Sequence, residues 1–176
     1  MQKKLSAPFT KEKIRDLRAG DSVLITRTLY TARDEAHMRM LEEYDRGTPL
    51  PFDIVDAIVY YVGPSPARPG QVIGSAGPTS SYRMDPFAPR LLEMGMAGMI
   101  GKGPRSPEVI EAIKKSGGVY FAAIGGAGAL ISKSIKSVQL IAYEDLGTEA
   151  VRKLEVEDFP AVVAVDPLGN DLYAAR

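Results

Sequence analysis

The chain contains no cysteine among its 176 residues and only one histidine. It therefore cannot make a disulfide, a thiolate zinc site or a cysteine-held iron-sulfur cluster of its own. Any such cofactor must come from another chain. Net charge is absent too, with 22 basic residues against 22 acidic ones. Nothing in that balance supports a sequence-independent hold on nucleic acid or on an anionic membrane, which leaves small molecules and proteins as partners. No run of about 18 apolar residues occurs. The first twenty residues, MQKKLSAPFTKEKIRDLRAG, lack the apolar stretch and small-residue cleavage site of a secretory signal, so the expected location is cytoplasmic. The length suits one domain over residues 1–176 with a sizeable core.

The pattern along the chain mixes both periodicities. Thr10 caps an expected helix to Arg18, and Ser22 to Thr28 reads as a strand. Thr31 and Asp34 have the spacing of a capping box opening a charged helix that Gly47 closes, with Ala36, Met40 and Leu41 on one face. Asp56 to Val62 and, after a proline-rich loop, Gln71 to Ala76 read as strands. A helix is expected from Pro86 to Glu93, a strand from Met96 to Gly101, and a helix from Pro107 to Ser116 stopped by Gly117 and Gly118. Strands VYFAAI, SVQLIAYE, VRKLEVED and AVVAVDPLGNDLY follow, the last with a Pro-Leu-Gly-Asn turn and the character of a terminal hairpin. Helices alternate with strands early and strands dominate late. That order predicts an α/β fold with a mixed sheet covered by helices, rather than a purely parallel doubly wound one.

Three stretches are suited to chemistry. In Gly77-Pro-Thr-Ser-Ser-Tyr-Arg-Met-Asp85, small hydroxyl residues at a helix start leave backbone N–H groups for an anion, and Arg83 offers a planar fork for a carboxylate. An ordinary capped turn with an exposed arginine reads the same way. Arg33 sits where a first helical turn is expected, a place where a cation opposes the helix dipole and so needs a reason. That reason is either an anionic ligand or pairing with a surface carboxylate such as Asp34. His37 lies one turn on, as a structural histidine or as a neighbour of the site. Lys102, between Gly101 and Gly103, ends an apolar strand, where ligands collect in open α/β sheets. It is not in a phosphate loop: the first glycine of that pattern would fall on Met96, and Gly103 replaces the Ser or Thr. Gly126 to Ile131 fails the dinucleotide fingerprint at its last position, and its glycines read as close backbone packing. Glu42, Glu43, Glu155, Glu157 and Asp158 read as solvated faces rather than metal ligands.

Five blocks, T-A-R-D-x-A-H, G-P-T-(S/T)-x-x-R-M-D, M-I-G-K-G, G-G-A-G-A-L and V-E-D-F-P-A-V-V-A-V-D-x-x-G-N-D-L-Y, occur in that order within a match that runs from about Ser22 to Tyr173. They resemble the β subunit, or C-terminal domain, of the class I fumarate hydratase and L(+)-tartrate dehydratase family. The resemblance implies a swivelling β/β/α three-layer domain and a hydro-lyase acting on malate and fumarate, with tartrate dehydration as its closest variant. It implies Thr79 as the base, Arg33 and Arg83 as carboxylate clamps and Lys102 as a further cationic catalytic contact, with His37, Ser80 and Asp85 beside them. A partner α subunit would carry the four-iron four-sulfur cluster. One departure stands out: Tyr82 occupies the place before the arginine where most relatives have glycine, and a bulky residue resists a positive φ. Two other readings are a silent dicarboxylate-binding module that lost its partner and a structural assembly domain whose arginines pair internally.

Overall fold

The structure is a computed structural model that describes residues 2–124 and 128–174. Its elements are β1 (Gln2–Ser6), α1 (Lys11–Ile14), β2 (Ser22–Thr31), α2 (Asp34–Asp45), β3 (Ile58–Tyr60), a 3-10 turn (Ser81–Met84), α3 (Ala88–Glu93), β4 (Gly98–Gly101), α4 (Pro107–Ser116), β5 (Val119–Ala123), α5 (Gly128–Ser134), β6 (Ile135–Ala142), a second 3-10 stretch (Glu144–Glu149) and β7 (Val151–Val165).

The sheet is mixed, as the order of elements predicts. β2, β3, β4 and β5 run parallel, and β7 pairs antiparallel with both β5 and β2. The pairings therefore return to β2 and close a circuit of five strands, with β1 beside β2 and β6 beside β7. β7 can serve both neighbours because it is long: Arg152 to Val162 pair with Thr31 to Ser22, and Ala161 to Val165 pair with Ala123 to Tyr120. Arg27 (φ 87) and Asp158 (φ 55) mark the bulge where this ladder shifts register.

Alternation divides the apolar side chains between two cores. Ile25, Leu29, Ile58, Tyr60, Ile100, Phe121, Leu154 and Phe159 pack in one. Val59, Tyr61, Met99, Tyr120 and Ala164 point the other way, where α2, α3 and α4 cover them with Ala36, Met40, Leu91, Leu92, Val109 and Ile113. α4 has the expected bounds because its signals are local: Ser106 accepts from the Val109 amide, Pro107 occupies the first turn, and Gly117 ends the helix at φ 75.

Several expectations are corrected. Gln71 to Ala76 is not a strand, and α1 ends at Ile14 rather than Arg18, although Leu17 is buried. Thr31 does not open a capping box: it ends β2, where its hydroxyl donates to the Ala150 carbonyl and accepts from the Arg152 amide. VRKLEVED and AVVAV form one strand, β7, and the expected terminal hairpin is reduced to its turn. Asp166 accepts from the Leu168 and Asn170 amides, Gly169 adopts φ 86, and a single bridge joins Val165 to Asp171. Glu155 is half-buried and accepts the Thr28 hydroxyl rather than facing only water. In the Gly126 to Ile131 stretch, positions 126 and 127 lie outside the described residues. Gly128 has open space about it, so close packing does not explain it.

Candidate functional site

The chemically suited residues follow the carboxyl ends of the parallel strands. β2 leads within two residues to Arg33, which is the N-cap of α2 with extended backbone and makes no capping bond of its own. Just past β3, the Tyr61 carbonyl accepts the Thr79 amide at 2.7 Å. Just past β4, Lys102 bridges to Ser80, and its carbonyl accepts the Ser81 amide at 2.9 Å. Three crossovers thus bring Arg33, the 77–85 loop and Lys102 to one end of the sheet, the usual position of ligand sites in parallel sheets.

The Arg33 stem lies flat on Gly63, where a Cβ would meet its Nη1 at 2.8 Å and its Cδ at 2.9 Å. Its Nε is buried without a hydrogen-bond partner. Arg83 bonds the carboxylate of Asp34, the residue after Arg33, through Nε (2.8 Å) and Nη2 (2.7 Å), so one acid ties the two arginines to the same corner. Both bonds end on one oxygen, Oδ2, while Oδ1 of Asp34 is buried without a partner. Lys102 is exposed and makes no ion pair among the described residues. Thr79 and Ser80 are half-buried. Tyr82 sits in the 3-10 turn without a positive φ and is 66% exposed, so its bulk introduces no backbone strain.

His37 is fully buried between Tyr61 and Phe87. Its Nδ1 lies 2.8 Å from the Arg33 carbonyl, and since a carbonyl only accepts, Nδ1 carries the proton and Nε2 is bare. Burial first, then the nearby Arg105 cation, hold its pKa down at about 4 against the pull of that carbonyl and of Asp34. It is neutral at physiological pH and braces the start of α2.

Asp85 has both carboxylate oxygens bonded within the chain. Its Oδ1 accepts Arg105 Nε at 2.7 Å and its Oδ2 the Ser106 amide at 2.9 Å. Arg105, with its side chain wholly buried, was not singled out by any sequence signal. It reads locally as an exposed cation between two prolines, and the acid that explains it lies 20 residues earlier. Tyr61 and Tyr120 were missed as well, because the partners of their hydroxyls lie 44 and 39 positions away.

Among the described residues no group of three or more His, Cys, Asp or Glu is arranged to hold a metal ion, and no helix is long and apolar enough to cross a membrane. The arrangement places two arginines, a lysine and a threonine at one end of the sheet.

The Fumarase C-terminus family model matches residues 1–176. Fumarate hydratase 2 of Leishmania major is 44% identical over 157 residues, covering 88% of this chain and 28% of that protein. The aerobic class I fumarate hydratase of Escherichia coli is 44% identical over 148 residues, covering 83% and 27%. The putative L(+)-tartrate dehydratase subunit beta of Methanocaldococcus jannaschii is 37% identical over 171 residues, covering 94% of this chain and 88% of that protein. The chain therefore spans little more than a quarter of the length of the fumarate hydratases but nearly all of the tartrate dehydratase subunit. With its full length matched and its motif-bearing loops gathered at one end of the sheet, this chain belongs to the fumarase C-terminus family.

Proposed function

We propose that this chain is the β-type half of a cytoplasmic iron-sulfur hydro-lyase, a swivelling domain that helps interconvert (S)-malate with fumarate and water. The observation that carries this reading is the gathering of Arg33, Thr79, Arg83 and Lys102 at the carboxyl ends of β2, β3 and β4. Tartrate dehydration is the second reading, favoured by the relative of that name whose own length the chain nearly fills.

A four-iron four-sulfur cluster does not fit the residues of this chain, which has no cysteine and no alternative ligand group among the described residues. The cluster is assigned to a partner α subunit, and the steps below concern this chain alone. Arg33, with an uncommitted Nε, and Arg83 hold the substrate carboxylates, and Lys102 adds a point charge beside them. Dehydration removes a proton from the carbon next to one carboxylate, and negative charge builds on that carboxylate, where the cations stabilise it; the C–O bond on the neighbouring carbon then breaks as the double bond forms, and proton and hydroxyl leave together as water. The Thr79 side chain, as its alkoxide, takes that proton and ends as the neutral hydroxyl. A threonine is a weak base in water, but neighbouring cations favour its alkoxide.

The test is anaerobic co-purification with a cluster-bearing α subunit, followed by hydration assays on fumarate and dehydration assays on malate and tartrate. The expected result is activity of the assembly on one of these diacids, with Arg33→Lys or Arg83→Lys each weakening substrate use by roughly 1.5 to 3 kcal/mol. An assembly that holds its cluster yet acts on none of the diacids overturns the reading.

A further inference from the structure

A wholly buried arginine is expensive to desolvate and is retained only where its bonds are made well. Arg105 makes them on every side. Its Nε donates to Asp85, its Nη2 donates to the Tyr61 hydroxyl at 3.1 Å, and its Cζ lies 5.2 and 4.7 Å from the ring centres of Tyr61 and Tyr120. Each of these partners reaches the loop that bears Thr79 and Arg83. Tyr61 accepts the Thr79 amide on its carbonyl, and Asp85 ends the 3-10 turn that carries Arg83. The Tyr120 hydroxyl lies 2.8 Å from the Gly103 carbonyl and 2.7 Å from Ser81 Oγ. Because a carbonyl only accepts, Tyr120 donates to Gly103, and the Ser81 hydroxyl donates to Tyr120. Gly101 has no Cβ to obstruct this chain; one would meet Ser81 Oγ at 2.0 Å.

We propose that Arg105 is a positioning residue that, through Asp85, Tyr61 and Tyr120, holds the Thr79 loop and the Lys102-Gly103 segment in one register. This rests on the hydro-lyase reading for its catalytic consequence but not for its structural one. The guanidinium is suited to the task because it bonds in its plane and stacks on its faces at once, which an ammonium cannot do.

The test uses Arg105→Lys and the milder Tyr120→Phe, which removes a single hydroxyl. In the isolated chain, hydrogen exchange should accelerate at the Thr79 and Ser81 amides while the β5 and β7 amides keep their protection. In the assembled enzyme, turnover and substrate C–H exchange with solvent should fall together by about 10- to 100-fold, the scale set by misplacing a reacting group by about 1 Å. In a Thr79→Val background the same substitutions should cost only about 2-fold, since a group that acts through Thr79 has little left to disturb. Unchanged exchange at Thr79 and Ser81 in both variants overturns the proposal, as does a loss that multiplies fully with that of Thr79→Val. If the assembly proves inactive on every diacid, the hydro-lyase reading fails, while the exchange result still decides whether Arg105 holds the loops.

Discussion

At the scale of single residues, His37 and Thr79 give the sharpest expectations. His37 titrates near 4 in the folded chain and near 6.5 when unfolded. Between those values the unfolded chain binds a proton that the folded one excludes, so stability falls as pH drops through this window and is fully present above it. The loss at pH 4.5 relative to pH 7.5 should be roughly 2 to 3 kcal/mol from this group. Urea midpoints of the wild type and of His37→Gln at both pH values measure it: the variant should lose less stability on acidification, and equal losses would sink the assignment. Thr79→Val keeps the β-branched shape and removes only the hydroxyl, so packing cannot explain its effect. In the assembled enzyme it should retain substrate affinity while cutting turnover by about 100- to 10,000-fold. Near-normal turnover would move the base to the partner chain.

At the scale of elements, the two helix starts behave oppositely. Ser106 caps α4 in the ordinary way, and Ser106→Ala should lower stability by about 1 kcal/mol. Arg33 occupies the N-cap of α2 without capping it, although its extended backbone (φ −118, ψ −164) suits a small polar residue. Arg33→Ser should therefore raise the stability of the chain by roughly 0.5 to 1 kcal/mol while abolishing its contribution to substrate binding. A stabilised variant with unimpaired substrate use would show that the arginine serves no ligand. The expected Thr31 capping box fails because Thr31 lies opposite Arg152 in the β2 and β7 ladder, where its hydroxyl has partners that local spacing does not reveal.

At the scale of the whole molecule, β7 closes the sheet by pairing with both β2 and β5 and encloses an apolar core. Phe121 is buried there against Phe9, with ring centres 5.9 Å apart, and Phe121→Ala should cost about 3 to 5 kcal/mol in denaturant unfolding. The purified chain alone should be folded, colourless and inactive, gaining activity only with a cluster-bearing partner. Iron-dependent absorbance together with fumarate hydration by the isolated chain would refute that division of labour.

The sequence by itself determined whatever a few neighbouring residues encode. A serine, a proline and a pair of glycines bound α4, the run from Ser22 to Thr28 marks β2 as a strand, and the absence of cysteine denies these residues a cysteine-held cluster of their own. The motif order further picked out Arg33, Thr79, Arg83 and Lys102, which the strand ends then gather at one corner. Only the tertiary structure decided which charges meet. Asp34 and Arg83 are 49 positions apart and Asp85 and Arg105 are 20 apart, and all four read locally as surface groups. Pairing over such distances depends on the path of the chain through the crossovers and on β7 closing the sheet, and burial, which turns an ordinary arginine into a brace, exists only once that path is complete.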